Sequence, residues 1–299
     1  MSAKPSALIT GIRGFTGKYL AEELEVRGYE VWGTSQGFED ESSRVRQVDL
    51  RNYSEIREFA EKVNPSVVVH LAAISFVAHG DVAEIYEMNV VGTRNLLAAL
   101  TNLPSRPRSV ILASSANIYG NSIDDPITEE SSLDPLNDYA VSKLAMEKMA
   151  KLWMGELPIT IVRPFNYSGV GQSLNFLIPK LVEHFVQEKP SVNLGNLDVY
   201  RDFSDVRTVI WAYAQLVENP APGEVFNIAS GHLTSISELI SMLERLARRP
   251  IEVISSEEFA RKGEVSKLRG DSTKLWAHIG KPKALTLEET LRWMLDSSK

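Results

Sequence analysis

Tyr139 and Lys143 stand four residues apart in the run Asn137-Asp138-Tyr139-Ala140-Val141-Ser142-Lys143. On a helix that spacing puts both side chains on one face. There an ammonium favours the phenolate form of its neighbour, and the tyrosine can exchange a proton with a hydroxyl or carbonyl near neutral pH. Ser115, at the end of a predicted strand, could hold the same oxygen. Far earlier in the chain, Gly11-Ile12-Arg13-Gly14-Phe15-Thr16-Gly17 follows a short apolar run and opens a helical pattern. Glycines so placed allow a tight turn, close approach of backbone N–H groups to a pyrophosphate and close packing of helix on strand, with the helix N-terminus facing the anion. Tyr-x-x-x-Lys also occurs by chance on amphipathic helices, and glycine clusters occur in ordinary turns. Both gain meaning from the elements that must position them.

Those elements alternate. Short β-rich runs at Ala7–Thr10, Glu30–Thr34, Val45–Leu50, Ser66–Ala73, Ser109–Ser115 and Ile159–Arg163 are separated by helical patterns. Strands apolar on both faces and spaced by helices predict a parallel sheet covered on two sides, an α/β fold of the Rossmann-type, doubly wound kind. The first helix carries Phe15, Tyr19, Leu20 and Leu24 and stops at Gly28. Asn52 and Glu55 form a capping-box-like start for a helix ending near Val63, before Pro65. After Pro164 the texture changes to stretches rich in Asn, Gly, Ser and Pro around a helix from Phe176 to Gln187. A helix at Asp205–Glu218 and a strand at Glu224–Ala229 return to the main sheet, and helices at Ile236–Arg248 and Leu287–Leu295 close a smaller lobe. The predicted division is a dinucleotide-binding domain over 1–165, rejoined by 205–229, and a smaller, discontinuous C-terminal substrate-binding domain mainly within 166–299.

Composition narrows the function. With 299 residues, 43% of them hydrophobic, the chain can build a sizeable core. Its 32 basic and 39 acidic residues leave a formal charge of −7, which offers no basic field for nucleic acid or an anionic membrane. No apolar run approaches the ~20 residues of a membrane span, and Met1 to Ser6 lacks a signal-peptide core. The absence of cysteine removes disulfides and thiolate chemistry, which points to a cytoplasmic setting, and no metal is expected.

Where the second strand ends, a carboxylate would accept bonds from an NAD ribose, but this chain offers Thr34-Ser35-Gln36. Arg13 inside the glycine loop can meet a 2′-phosphate or remain a solvated loop residue. The first reading favours NADP(H) and leaves NAD(H) open. Asp49 and Leu50 after the third strand could line the adenine, and Leu71-Ala72-Ala73 after the fourth could let the cofactor pass close to small side chains.

The motifs Thr10 to Gly17, His70 to Ala73, Asn89 with Gly92-Thr93, Ser114 to Gly120, Tyr139 to Lys143 and Arg163-Pro164-Phe165-Asn166 together resemble the extended short-chain dehydrogenase/reductase family, also called the NAD-dependent epimerase/dehydratase family. The resemblance covers nearly the whole chain. It implies that Ser115, Tyr139 and Lys143 form a catalytic triad and that Lys143 also binds the nicotinamide ribose. It further implies cofactor contacts from Gly11, Arg13, Gly14, Phe15, Thr16 and Gly17 in the loop, and from Asn89 and Pro164 beyond it.

Within that family the segments Leu194-Gly195-Asn196-Leu197-Asp198, Arg201-Asp202 and Leu268-Arg269-Gly270-Asp271 look like those by which the GDP-mannose dehydratase and GDP-4-keto-6-deoxy-mannose reductase group holds a GDP diphosphate. Arginine suits phosphate because guanidinium meets its oxygens in a bidentate way; the alternative is that Arg201 and Arg269 are salt-bridged surface residues. Ser75, Asn117, Asn166, Asn175, Lys180, Leu194 and Asn196 complete the implied substrate contacts. Dehydratases of the family carry an acid shortly after the residue matching Ser115, whereas Ala116 and Asn117 cannot act as a carboxylate base. That leaves hydride and proton transfer at C4, as net reduction or as epimerisation; the absent acid after the second strand and the resemblance imply reduction of a 4-keto group on a GDP-linked 4-keto-6-deoxy sugar, giving a GDP-6-deoxyhexose such as GDP-rhamnose. The rivals are a C4 epimerase with retained NAD, a dinucleotide-binding sensor that lacks turnover, and a steroid or flavonoid reductase, which the arginine motifs disfavour. The family resemblance suggests a homodimer through the helices near Glu84–Leu100 and Asp138–Trp153. His79 is read as a loop histidine near the substrate path, and His184 as a helix residue without an assigned partner.

Overall fold

The computed structural model describes residues 4–37, 44–75, 81–255, 265–283 and 285–298. His79 lies outside them. In chain order the elements are β1 (Ser6–Thr10), α1 (Phe15–Val26), β2 (Glu30–Ser35), β3 (Val45–Gln47), α2 (Tyr53–Val63), β4 (Val67–His70), α3 (Val82–Tyr86), α4 (Thr93–Thr101), β5 (Ser109–Ala113), α5 (Asp138–Ala150), β6 (Ile159–Pro164), β7 (Asn166–Ser168) and α6 (Leu177–Val186). There follow β8 (Ser191–Leu194), β9 (Tyr200–Asp205), α7 (Val206–Glu218), β10 (Val225–Ile228), β11 (Leu233–Ser235), α8 (Ile236–Ala247), β12 (Glu252–Ser255), β13 (Lys267–Leu268), α9 (Thr273–Ile279) and α10 (Leu287–Ser297).

The central sheet has seven strands in the order β10-β6-β5-β4-β1-β2-β3, and every pairing from β6 to β3 is parallel. The strand order reverses between β1 and β4. In open α/β sheets that reversal opens a crevice outside the strands' carboxyl ends, where ligands bind. The expected Rossmann-type fold is therefore present. Its central strands are apolar on both faces, with Val67, Val68, Val69, Val110, Ile111 and Leu112 all wholly buried. One face is covered by a core drawn from α2, α4 and α5, including Phe59, Leu96, Leu97 and Met146.

The chain divides into two compact units, the first made of Met1–Ile118, Asn137–Arg163 and Ile210–Phe226, the second of Tyr119–Leu136, Pro164–Val209 and Asn227–Lys299. Tyr119–Leu136, which the sequence reading left with the first domain, clusters with the second unit. Gly120 turns there at φ +57, and Ile127 then exchanges backbone bonds with Arg269 and Asp271 beyond β13. The second unit builds its own core from α6, β8, α8 and α10, with Leu181, Leu239, Leu243 and Leu291 fully buried. Among the described residues no helix is long and apolar enough to cross a membrane.

Several expected elements are shorter or broken, and the strand expected over Val45–Leu50 ends at Gln47. The strand expected over Ser66–Ala73 ends at His70, because the Ala72 N–H turns from the sheet to the Thr10 hydroxyl (3.2 Å). The strand expected through Ser115 ends at Ala113 and is followed by a single 3₁₀ turn over Ala116–Tyr119. The continuous helix expected over Glu84–Leu100 is interrupted by a π-helical turn at Glu87–Gly92, a distortion frequent at functional sites.

Candidate functional site

At the carboxyl end of β1, Gly11 adopts φ +71, and a Cβ placed on it would come within 3.0 Å of Ala72 N and Cα. Any larger residue would push β1 away from the segment leaving β4. A Cβ on Gly17 would fall 2.4 Å from Gly11 O and 2.7 Å from Ile12 Cα, so this glycine lets α1 pack against the loop. Gly14 is exposed, and no side chain caps the N-terminus of α1. The dipole of that helix end favours an anion. These features fit the pyrophosphate of a dinucleotide. Phe15 and Thr16 occupy the first turn, and the exposed Arg13 lies in the loop before it.

The remaining cofactor candidates divide. Ser35 is buried and its hydroxyl donates to Gly37 O (3.2 Å). Asp49 is engaged by Arg51 Nε and Nη2 (both 2.9 Å), and that guanidinium holds its carboxyl below the usual range. Leu50, expected to line the adenine, is instead packed into the core at 2% exposure. Asn89, in the π-turn, is buried. It accepts from Ile74 N (2.9 Å) and donates to Ile74 O (3.2 Å) and to Ser142 Oγ (2.9 Å), so it ties the Leu71–Ser75 segment to α5. Pro164 ends β6 and falls in the second unit.

Lys143 and Ser115 both lie at the carboxyl end of β5. Asn137 caps α5 by accepting from Ala140 N (2.9 Å), which fixes the helix start and sets Tyr139 and Lys143 one turn apart, both buried. Lys143 Nζ donates to Ala113 O (2.8 Å), the last residue of β5 and two before Ser115. Burial pulls the Lys143 ammonium down to about 8, with the Glu147 carboxylate opposing. Ser115 Oγ accepts from Asn117 N (3.2 Å), and the neighbouring Ser114 Oγ is buried with no hydrogen-bond partner among the described residues. Glu147 in turn forms a buried two-point ion pair with Arg163 of β6 (2.9 and 2.7 Å).

Of the substrate candidates, Arg201 and Asn166 stand on one small sheet of the second unit, with Arg269 directly after its strand β13. Arg201 on β9 lies opposite Leu268 of β13, next to Arg269. Asn166 of β7 pairs with Phe203 of the same β9. Arg201 donates to Tyr200 O (3.0 Å), whereas Arg269 forms an ion pair with Asp125, to which Lys267 is also bonded. These two cations, Lys267 foremost, hold the Asp125 carboxyl below its ordinary range. Asp202 is fully buried and accepts from Ser230 N (2.8 Å), Ser230 Oγ (2.6 Å) and Gly231 N (2.8 Å), a brace between β9 and the turn that joins β10 to β11. Lys180 on α6 donates to Asn193 O (3.0 Å), Leu194 is buried, and Asn196 accepts from Asp198 N (2.9 Å). Asn175 and Ser75 are exposed in loops. His184 bonds to Lys180 O (2.7 Å) on its own helix.

Sequence reasoning missed Asp125 and the Arg163–Glu147 pair, whose partners are 144 and 16 residues apart with no motif to join them. It also missed the roles of Thr10, His70, Thr93 and Ser142, polar residues hidden within apolar or helical runs.

The chain belongs to the NAD dependent epimerase/dehydratase family, whose model matches residues 7–229. It is thereby a NAD(P)-dependent enzyme. Among named relatives it is 34% identical to GDP-6-deoxy-D-talose 4-dehydrogenase of Aggregatibacter actinomycetemcomitans, over 91% of this chain and 90% of that one. It is 30% identical to GDP-6-deoxy-D-mannose reductase of Pseudomonas aeruginosa, over 96% and 95%. A crystal structure from Burkholderia cenocepacia J2315 that bears an epimerase name superposes with TM-score 0.92 at 47% identity, covering 99% of both chains. RMD from Pseudomonas aeruginosa complexed with NADPH gives TM-score 0.85 at 30% identity, covering 99% of this chain and 97% of that one.

Proposed function

We propose that this chain reduces the C4 keto group of a GDP-4-keto-6-deoxy sugar, using NADPH. The observation that carries the proposal is the pair Ala116-Asn117 directly after Ser115, where no carboxylate is available for dehydration, beside a β5 end at which Lys143 is docked. The bound dinucleotide supplies hydride. Tyr139 delivers the proton to O4, Ser115 holds that oxygen, and Lys143 keeps positive charge beside the phenol. The first unit takes the dinucleotide, with Arg13 as the 2′-phosphate contact, and the solved relative with NADPH supports that choice. The second unit takes the GDP moiety, with Arg201, Arg269 and Asn166 on the diphosphate. The GDP-sugar names of two relatives support this reading. Because Asp125 already holds Arg269, that arginine serves phosphate only by leaving or sharing its carboxylate.

Given GDP-4-keto-6-deoxy-mannose and NADPH, the protein should consume both in equal amounts and release a GDP-6-deoxyhexose. Talose and mannose differ at C4, so proton NMR of the product tells which face of the carbonyl receives hydride. Formation of a 4-keto sugar from GDP-mannose alone would overturn the argument from Asn117. The epimerase name of the Burkholderia relative favours one second reading, C4 epimerisation with retained NAD; interconversion of C4 epimers without added reductant would establish it. Arg201→Ala and Arg269→Ala should each weaken substrate by roughly 1.5–3 kcal/mol, as for a lost charge-assisted bond, with dinucleotide affinity little changed. Unaltered substrate affinity in both, measured by calorimetry, would return these arginines to a surface role.

A further inference from the structure

His70, the last residue of β4, is 1% exposed and takes no part in the chemistry proposed above. Its Nδ1 lies 2.6 Å from Thr10 Oγ1 and its Nε2 lies 2.8 Å from Thr93 Oγ1. The protons of this group can be counted. A hydroxyl has one proton to donate, and Thr93 gives its own to Asn89 O (2.7 Å). Thr93 must therefore accept from His70, which puts the imidazole proton on Nε2. Nδ1 is then an acceptor, so Thr10 donates to it, while Thr10 Oγ1 accepts from Ala72 N (3.2 Å). Every donor is used once and the order runs one way, from Ala72 through Thr10 and His70 to Thr93 and Asn89. From Asn89 the line continues to Ser142 Oγ (2.9 Å) and on to Tyr139 O (2.7 Å).

Both ends of the line are at places already described. Thr10 precedes Gly11, and Ala72 is the residue a Cβ on Gly11 would strike. Asn89 forms the π-turn and carries α5 through Ser142. A protonated imidazole would need acceptors at both nitrogens and would break the Thr10 bond. In agreement, burial, reinforced by the Lys143 charge, pushes the His70 imidazolium down to about 3.

We propose that His70, neutral and protonated on Nε2, is a positioning residue that holds the glycine loop through its Nδ1 side and the Tyr139 helix through its Nε2 side. The proposal rests on the reading of these two places as the dinucleotide and proton-transfer ends. The two arms of the imidazole can be cut separately. In His70→Asn the amide oxygen reaches the Nδ1 position and keeps Thr10 but leaves Thr93 unserved; in His70→Gln the amide reaches the Nε2 position and keeps Thr93 but releases Thr10. His70→Asn should lower kcat about tenfold with NADPH affinity within about twofold, and His70→Gln should weaken NADPH binding about fivefold or more with kcat nearly kept. Thr93→Val and Thr10→Val should reproduce the two patterns in that order, which covers the case in which a histidine variant does not fold. Parallel loss of kcat and NADPH affinity in every variant, tracking Tm, would reduce His70 to a structural residue. Nitrogen-15 NMR of the unmodified protein at neutral pH should show the Nε2–H tautomer at His70, and an Nδ1–H or imidazolium signature would overturn the proposal. The tautomer and the NADPH titration need no sugar, so they stand or fall apart from the identity of the substrate.

Discussion

Lys143 bears opposite consequences of its burial. With 3% exposure and one bond to Ala113 O, its ammonium falls from 10.5 to about 8. Such a displacement corresponds to roughly 3 kcal/mol charged against the folded state. The unfolded chain holds this proton up to the ordinary lysine value while the folded chain gives it up sooner. The penalty is therefore complete below about pH 8 and fades as the pH climbs toward 10.5. Lys143→Met should accordingly melt higher than the parent at pH 7, with an advantage that shrinks across that interval. Calorimetric scans at pH 7 and pH 10 decide the matter, and a variant no more stable at pH 7 refutes it. Tyr139→Phe removes only the phenol, so turnover should fall by about 10²–10⁴-fold, the usual worth of positioned acid–base catalysis. NADPH affinity measured by fluorescence should stay within about twofold. Turnover close to the parent's would take Tyr139 out of the acid role.

At the scale of elements, α5 is fastened to β6 by Arg163 and Glu147, each less than a tenth exposed. Glu147→Ala takes the carboxylate away from a buried guanidinium and should cost about 3–5 kcal/mol. Arg163→Met combined with Glu147→Leu should recover most of that in urea unfolding, and failure of the double variant to recover would assign the loss to packing. The inner strands β1, β4, β5 and β6 were legible in the sequence because both of their faces are buried, and runs such as Val67-Val68-Val69 read as β whatever surrounds them, whereas the short strands of the second unit carry no such run. α6 was legible to within one residue at each end, since Ile178, Leu181, Val182 and Phe185 repeat at helical spacing. Motif spacing made the glycine loop and the Tyr139–Lys143 pair visible, because both act within one or two turns of chain. The π-turn at Glu87–Gly92 has no such local sign: its residues are compatible with an ordinary helix, and the distortion belongs to Asn89's bonds with distant Ile74 and Ser142. Leu50 misled because its place after a strand suggests a rim, while its side chain points into the core beneath Gly92. Asp125 was invisible because its cations come from β13 and the residue after it, more than 140 positions away.

For the molecule as a whole, apolar side chains left exposed on the first unit offer a test of the homodimer that the family resemblance suggests. Val82 and Val91 are each 45% exposed, Val141 38% and Leu152 81%, all on or beside α3, α4 and α5. These are the helices for which the family resemblance suggests a homodimer. Val141→Asp with Leu152→Asp should convert a dimer into a monomer in sedimentation velocity without changing the far-ultraviolet spectrum, and an unshifted sedimentation coefficient would free this face of that role. The interleaving of the two units has a further outcome. Each is made of three segments, so the chain passes between them five times. The first unit needs Ile210–Phe226 and the sheet needs β10, which ends at Ile228. A ribosome adding roughly 5–20 residues per second must therefore reach Ile228 before the edge of β6 can be covered. Until then the nascent chain carries an open parallel edge, and the holdase demand of this protein should concentrate in that window of its synthesis.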